Sequence, residues 1–462
     1  MDATKSFHEA VEALAAFVTT FAQTHKFVYH LASMREMWLS LHLVGTKLDN
    51  VVTTAGLKET GEVSWQKQLM AAREQEEDEL SKKAAKNALP FARNMRPNEP
   101  MEALTLLKFE IDYFKPGNST KHVASMKKVF FSVVRSSNGR VAKIPDSYIP
   151  PHAVNYSRDD KNEMEGSVGS AYRGIWVDRK PADGKKPETD EEGGEQQPTT
   201  QNVVVKRLFF HADSIEFFRR EVEIWSGLDH PNILKLYGAS HCSYPALIIC
   251  EDAANGPLVN YLTQQQPQRI KEEVTRLTWK LLLEAAYGLK YLHENRLVHG
   301  NMKSDNILVA ADGFVKLTDF GMGMFALQNQ AIQNNKFQEL GWRAPNCRQT
   351  KLFRRSSFQD DIYCFGLCVL DVLVPQYSSI RIGGSQNEPH IGELNFDPLS
   401  KQVMQIIPDE GSRKLIIGMC NENPDSRLSL KEVISSMTVL LENAAIKSRN
   451  TSSPNVAVFK AR

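Results

Sequence analysis

Six cysteines are spread over 462 residues, at 242, 250, 347, 364, 368 and 420. They show no paired spacing typical of zinc sites, and six are too few to staple a chain of this length. Neither a disulfide scaffold nor a zinc module is expected, and the setting reads as reducing and cytoplasmic. Excess charge of one sign is also lacking, with 56 Lys plus Arg against 55 Asp plus Glu. So balanced a field gives no general attraction to nucleic acid or to an anionic membrane, and neither is expected as a partner. No apolar run approaches the ~20 residues of a membrane span. The N-terminus carries Asp2, His8, Glu9 and Glu12 among its apolar residues and lacks the order of a secretory leader. What the chain does have is 42% hydrophobic residues, enough to fill the cores of two or three domains.

From Phe7 the apolar positions Phe7, Val11, Leu14, Val18 and Phe21 step by four and three, one stripe of a helix, and Phe27, Leu31, Met34, Trp38, Leu41 and Leu48 repeat the rule. Both stripes are expected to be core faces. A third helix is expected from about Ser64 to Leu89, closed by Pro90, and a fourth from Asn98 and Pro100 to Phe114. A fifth, capped by Ser119 or Thr120, is expected to end near Arg135. Residues 1–136 thus read as an all-α helical bundle, and 137–155, with Pro145, Pro150 and Pro151, as a semi-rigid linker. The stretch 178–201 has no large apolar residue and is expected to be a disordered insertion between two strands; 446–462 reads as a flexible tail.

Chemistry concentrates after residue 156. MEGSVGSAYRG, Met164 to Gly174, is glycine-rich at Gly166 and Gly169; NVVVK ends in Lys206; Glu221 follows fifteen residues on; HGNMKSDN spans His299 to Asn306; and TDFG places Asp319 eighteen residues after Asn301. Glycines of this kind let backbone amides approach phosphates closely, and paired oxygen donors suit a hard cation. In this order and at this spacing, residues 156–445 resemble the eukaryotic protein kinase domain, most closely the tyrosine-kinase-like group of Ser/Thr kinases.

The resemblance implies an α+β, bilobal protein kinase-like fold, with a small β-rich N-lobe and a larger helical C-lobe, preceded by the helical bundle. It implies ATP and Mg2+ as cofactors and a protein as substrate or partner. By position, Met164, Gly166 and Gly169 fall on the Gly-rich loop, whose first glycine Met164 replaces. Ala171 and Val204 sandwich the adenine, their small and larger side chains having traded places, a volume-conserving swap. Lys206 holds the α- and β-phosphates and pairs with Glu221, Cys250 is the gatekeeper, and Glu251 to Ala253 form the hinge. Lys303 contacts the γ-phosphate, while Asn306 and Asp319 are the metal ligands. Trp225, Leu236, His299 and Phe320 fall on the family's internal spine, and Asp361 anchors the catalytic loop.

The departures are equally specific. Asn301 stands where kinases carry the Asp that accepts the substrate's proton, and a neutral amide cannot take up a proton near pH 7. Gly300 replaces the preceding Arg. Asn346 replaces the Glu of A-P-E while its expected partner Arg427 remains, so the end of the activation segment is expected to be looser or re-paired. Residues 322–343 hold no Ser, Thr or Tyr, so phosphorylation cannot order them. The expectation is a pseudokinase that binds ATP and signals by contact; the alternative is a weakly active Ser/Thr kinase. In layout alone, a bundle before a degraded kinase domain is similar to mixed-lineage-kinase-like pseudokinases, which implies a third role as a bundle-driven membrane or partner effector.

Overall fold

The computed structural model describes residues 3–21, 27–56, 65–86, 99–113, 118–137, 144–156, 163–165, 170–178, 199–209, 215–241, 245–321, 342–345, 356–374, 399, 401–407 and 409–452. Among them the chain forms two compact units. One holds the helical region and most of the β-sheet, and the other runs mainly from Cys250 onward.

The first unit opens with α1 (Ala3–Phe21), α2 (Phe27–Thr54), α3 (Trp65–Lys86), α4 (Glu99–Tyr113) and α5 (Thr120–Ser137). Leu31, Met34 and Trp38 of the second stripe are buried with Leu80, Leu104, Leu107, Met126 and Val129 in one apolar core. Ser119 caps α5, its hydroxyl accepting from His122 N at 3.1 Å. Inside the core Arg35 donates to Glu110 Oε2 at 3.1 Å and to Glu36 at 2.9 Å, and Asn118 donates to Glu110 at 2.8 Å, so each buried charge has a partner.

One expectation fails in part here. The first stripe is a core face only at its end: Phe21 is buried, but Phe7, Val11, Leu14 and Val18 are 46–57% exposed, while Ser6 and Ala10 are buried. α1 packs on α2, with Ser6, Ala10 and Phe21 buried and the other four stripe positions outward. Leu48 of the second stripe is likewise exposed. In the segment read as a semi-rigid linker, Ile144, Tyr148, Ile149 and Val154 are all buried.

The sheet comprises β1 (Val154–Tyr156), β2 (Glu163–Glu165), β3 (Ser170–Asp178), β4 (Thr199–Leu208), β5 (Leu236–Ser240) and β6 (Ala246–Glu251), in the order β1-β3-β4-β6-β5 with β2 on β3. Helix α6 (Ile215–Ser226) lies between β4 and β5 in sequence. The insertion expected over 178–201 lies, apart from its strand-forming ends, outside the described residues.

In the second unit come α7 (Leu258–Gln265), α8 (Lys271–Glu294), the hairpin β7 (Ile307–Val309) and β8 (Val315–Leu317), α9 (Phe358–Leu373), α10 (Lys401–Ile406), α11 (Glu410–Met419) and α12 (Leu430–Ser452). The face of α8 bearing Leu282, Ala285, Ala286 and Leu289 is buried, and α12 packs along this helix. α12 carries helix to Ser452, past the onset expected for the tail, with Ser448 buried. The sheet of one unit and the mainly helical other unit, with the all-α region preceding them in sequence, make the α+β fold expected from the sequence. Among the described residues no helix is long and apolar enough to cross a membrane.

Candidate active site

The hairpin β7–β8 assembles the centre of the site. Ile307 pairs with Leu317, Leu308 with Lys316 and Val309 with Val315, so the residues just before β7 and just after β8 lie side by side. Thr318 N accordingly donates to Asn306 O at 3.0 Å. Asn306 and Asp319, expected as metal ligands, are thus brought to one end of one hairpin, both nearly buried. Asp319 has φ 58°, the left-handed region that costs a residue with a Cβ about 1 kcal/mol or more. Phe320 beside it is fixed by Trp225 at 5.1 Å and His299 at 6.1 Å, both edge-on. Trp225 is itself held by a 2.8 Å hydrogen bond from Nε1 to Leu234 O. Three of the four expected spine residues therefore stack; Leu236 is half-buried in β5.

The loop from Arg296 to Asn306 hangs on Asp361. This buried carboxylate in α9 accepts from His299 N at 2.7 Å and Gly300 N at 2.8 Å, and meets His293 Nε2 at 2.9 Å. His299 is fully buried, and loss of water lowers its pKa. Its Nδ1 accepts from Asn301 N at 3.3 Å, which assigns the ring proton to Nε2. Gly300 has φ 69°, and a Cβ there would meet nothing nearer than Ser356 Cβ at 3.9 Å. Space is free at position 300; only backbone strain opposes a side chain.

Asn301 is built into the loop by its amide. Its Nδ2 donates to Asp319 O at 3.4 Å, a long bond, and its backbone O accepts from Asn306 Nδ2 at 2.6 Å. An ionised Asp has no donor with which to make the first of these. Lys303 is buried in the same loop, its carbonyl accepting from Asn306 N at 3.0 Å. Of the hinge residues, Cys250 and Ala253 are buried, and the Glu251 carboxylate accepts from Lys235 N at 3.1 Å and pairs with Lys316 at 3.3 Å. The Glu251 side chain therefore braces the strands around it.

In the first unit, Ala171 in β3 and Val204 in β4 are both buried on neighbouring strands. Val203 and Val205 are wholly buried on one face of β4, so alternation puts Val204 and half-buried Lys206 on the other. Glu221, in α6, is half-buried. Met164 lies in β2, whereas Gly166, Gly169 and Asn346 lie outside the described residues.

Sequence reasoning missed Asp360. Ser357 and Asp360 form a reciprocal capping box at the start of α9: Ser357 N donates to Asp360 Oδ2 at 2.8 Å and Asp360 N to Ser357 Oγ at 3.2 Å. The pattern Ser-x-x-Asp could have announced it. The other Asp360 oxygen receives Arg427 at 3.2 Å. Arg427 also donates to Gln359 O at 2.9 Å and Asn421 O at 2.8 Å and lies over the Tyr363 ring. Arg427 is thus paired with Asp360, whereas the end of the activation segment, expected to be looser or re-paired, lies with Asn346 outside the described residues.

Comparison with known proteins gives a consistent picture. The family model for protein tyrosine and serine/threonine kinases matches residues 163–437. Aurora kinase of Schizosaccharomyces pombe is 30% identical over 218 residues, 47% of this chain and 57% of that protein. Dual specificity protein kinase shkC of Dictyostelium discoideum is 29% identical over 259 residues, 54% of this chain and 48% of its own. Cysteine-rich receptor-like protein kinase 42 of Arabidopsis thaliana is 28% identical over 260 residues, 52% of this chain and 39% of its own. The chain thus spans less than two thirds of each. With that match over more than half its length, and with the hairpin, loop and spine in place, the chain belongs to the protein tyrosine and serine/threonine kinase family.

Proposed function

We propose that this protein is a pseudokinase: a kinase-family signalling protein that binds Mg-ATP and acts through contacts with protein partners, with phosphoryl transfer reduced to a trace. The observation that carries this reading is Asn301, whose amide stands at the proton-acceptor position and serves as a donor to Asp319 O. General-base catalysis supplies roughly 10²- to 10⁴-fold, or about 2.7 to 5.4 kcal/mol, and the amide forgoes it.

The residues present suit the nucleotide and its metal. Asn306 and Asp319 offer an amide and a carboxylate oxygen at one end of the β7–β8 hairpin, a donor set that fits a hard divalent cation carried in with phosphates. Lys206 and Lys303 supply cationic partners for phosphate oxygens. Mg2+, when bound, neutralises the charge on those oxygens. What the chain's own side chains do is hold: Asp361 fixes the loop backbone, Asn301 ties the loop to Asp319, and Phe320 is clamped by Trp225 and His299.

The second reading is a slow Ser/Thr kinase, supported by the retained Lys206, Glu221, Lys303, Asn306 and Asp319. Phosphate transfer by purified protein, lost on Asp319→Ala, would favour it over the first. A third, the bundle-borne effector, draws its support from the outward Phe7, Val11, Leu14 and Val18 face; protein that leaves liposomes intact under every nucleotide condition would remove its membrane form.

A further inference from the structure

The small-lobe sheet ends in β1 on β3 at one side and in β5 at the other. The segment 147–156 reaches both ends. At β5, Tyr148 forms a parallel bridge with Ala239; Ala239 N donates to Ser147 O at 2.8 Å and Ile149 N to Ala239 O at 3.1 Å. At β3, Val154, Asn155 and Tyr156 pair antiparallel with Trp176, Ile175 and Gly174. A single 3-10 turn, Pro151–Ala153, joins the two. Edge groups that would otherwise seek water or another strand are closed by this one stretch of chain.

Two glycines mark the contacts. A Cβ at Gly238 would run into Ser147 O and come within 2.8 Å of Ile149; one at Gly174 would lie 2.6 Å from Asn155 O and 2.9 Å from Tyr156 Cβ. Backbone oxygens cannot retreat while the ladder stands, so both positions require the absent side chain.

The same segment holds the helices. Tyr148, 1% exposed, meets Phe109 of α4 edge-on at 5.1 Å and His241, which follows β5, edge-on at 5.5 Å. Ile144 joins Phe109 and Tyr113 in that cluster. His152 feels the charge of Arg35 in α2, and loss of water together with that charge pushes its pKa down to about 3.

We infer that residues 147–156 are a clasp that makes the helical bundle and the small-lobe sheet one cooperative unit, so that loosening either loosens both. Nothing in this depends on nucleotide binding or on the chemistry at Asn301. The sheet's state is thereby available to the bundle through one short segment.

The test is hydrogen exchange on the full chain, read separately for α2, α4 and α5 and for β3 to β6. Val203→Ala removes packing at a wholly buried position of β4, and Leu107→Ala does so in the bundle core. Each is expected to speed exchange of the most protected amides at least about tenfold in both regions. Gly238→Val wedges the clasp; in that background Val203→Ala should act on the strands alone. Exchange that rises only in the region carrying each substitution overturns the inference, as does coupling that survives Gly238→Val. If one core variant fails to fold, the reciprocal one decides alone.

Discussion

Asp360 holds Arg427 at 3.2 Å with both side chains almost wholly buried, and does so while capping α9 with its other oxygen. One carboxylate thus serves two buried tasks. The Arg427 guanidinium has an anion inside the helical unit, so the buried charge is compensated there.

Removing that anion is therefore expected to be costly. Asp360→Asn should lower stability by about 3–5 kcal/mol, since it strands a buried charge and weakens a helix cap. Denaturant unfolding of Asp360→Asn, Arg427→Met and the double variant gives the coupling. The double variant should be less destabilised than the sum of the singles, and strict additivity would contradict the pairing.

At Gly300 the expected penalty has a different origin. Because φ is 69° and the surroundings are open, Gly300→Ala and Gly300→Arg should each cost about 1 kcal/mol through backbone strain rather than clash. Equal losses for the small and the large side chain, read from denaturation midpoints, would bear this out. A much larger loss for Arg would point to crowding instead.

Acid should weaken the clasp. His152 ordinarily titrates near 6.5 and is pushed down to about 3 in the folded chain, by loss of water first and Arg35 second. Below about pH 6.5 the unfolded chain takes up a proton that the folded chain refuses. Stability is then full above that pH and falls as pH drops toward 3, by up to about 1.4 kcal/mol per unit. His241, pushed down to about 4 chiefly by burial, adds to the same trend. His152→Gln should flatten the slope between pH 6.5 and 5 in denaturant titrations, and an unchanged slope would refute the assignment.

Much of this was legible from residues alone, because chemistry-bearing positions come in order: Lys206, Glu221, Asn301, Asn306 and Asp319 give the family by spacing. Ser119 gave the start of α5 for a local reason, its hydroxyl satisfying a free backbone N–H. The failures are tertiary. The 4-3 pattern of Phe7, Val11, Leu14 and Val18 reports an apolar face without reporting which way it turns, and the close fit of Ser6 and Ala10 decided that. Pro145, Pro150 and Pro151 signal a stretch with neither helix nor strand of its own, yet such a stretch also pairs with a sheet edge when Gly238 leaves room. Asp360 was invisible as a partner because it lies 67 residues from Arg427.

In the proposed pseudokinase, Asn301 separates binding from transfer. The most direct measurement compares native protein with Asn301→Asp, following Mg-ATP binding by thermal shift and radiolabelled phosphate transfer to itself and to a generic Ser/Thr substrate, with Asp319→Ala as the control. Both should bind Mg-ATP, and Asn301→Asp should raise transfer by about 10²- to 10⁴-fold over a native background indistinguishable from Asp319→Ala. Native protein that transfers phosphate well above the Asp319→Ala control would contradict the pseudokinase proposal.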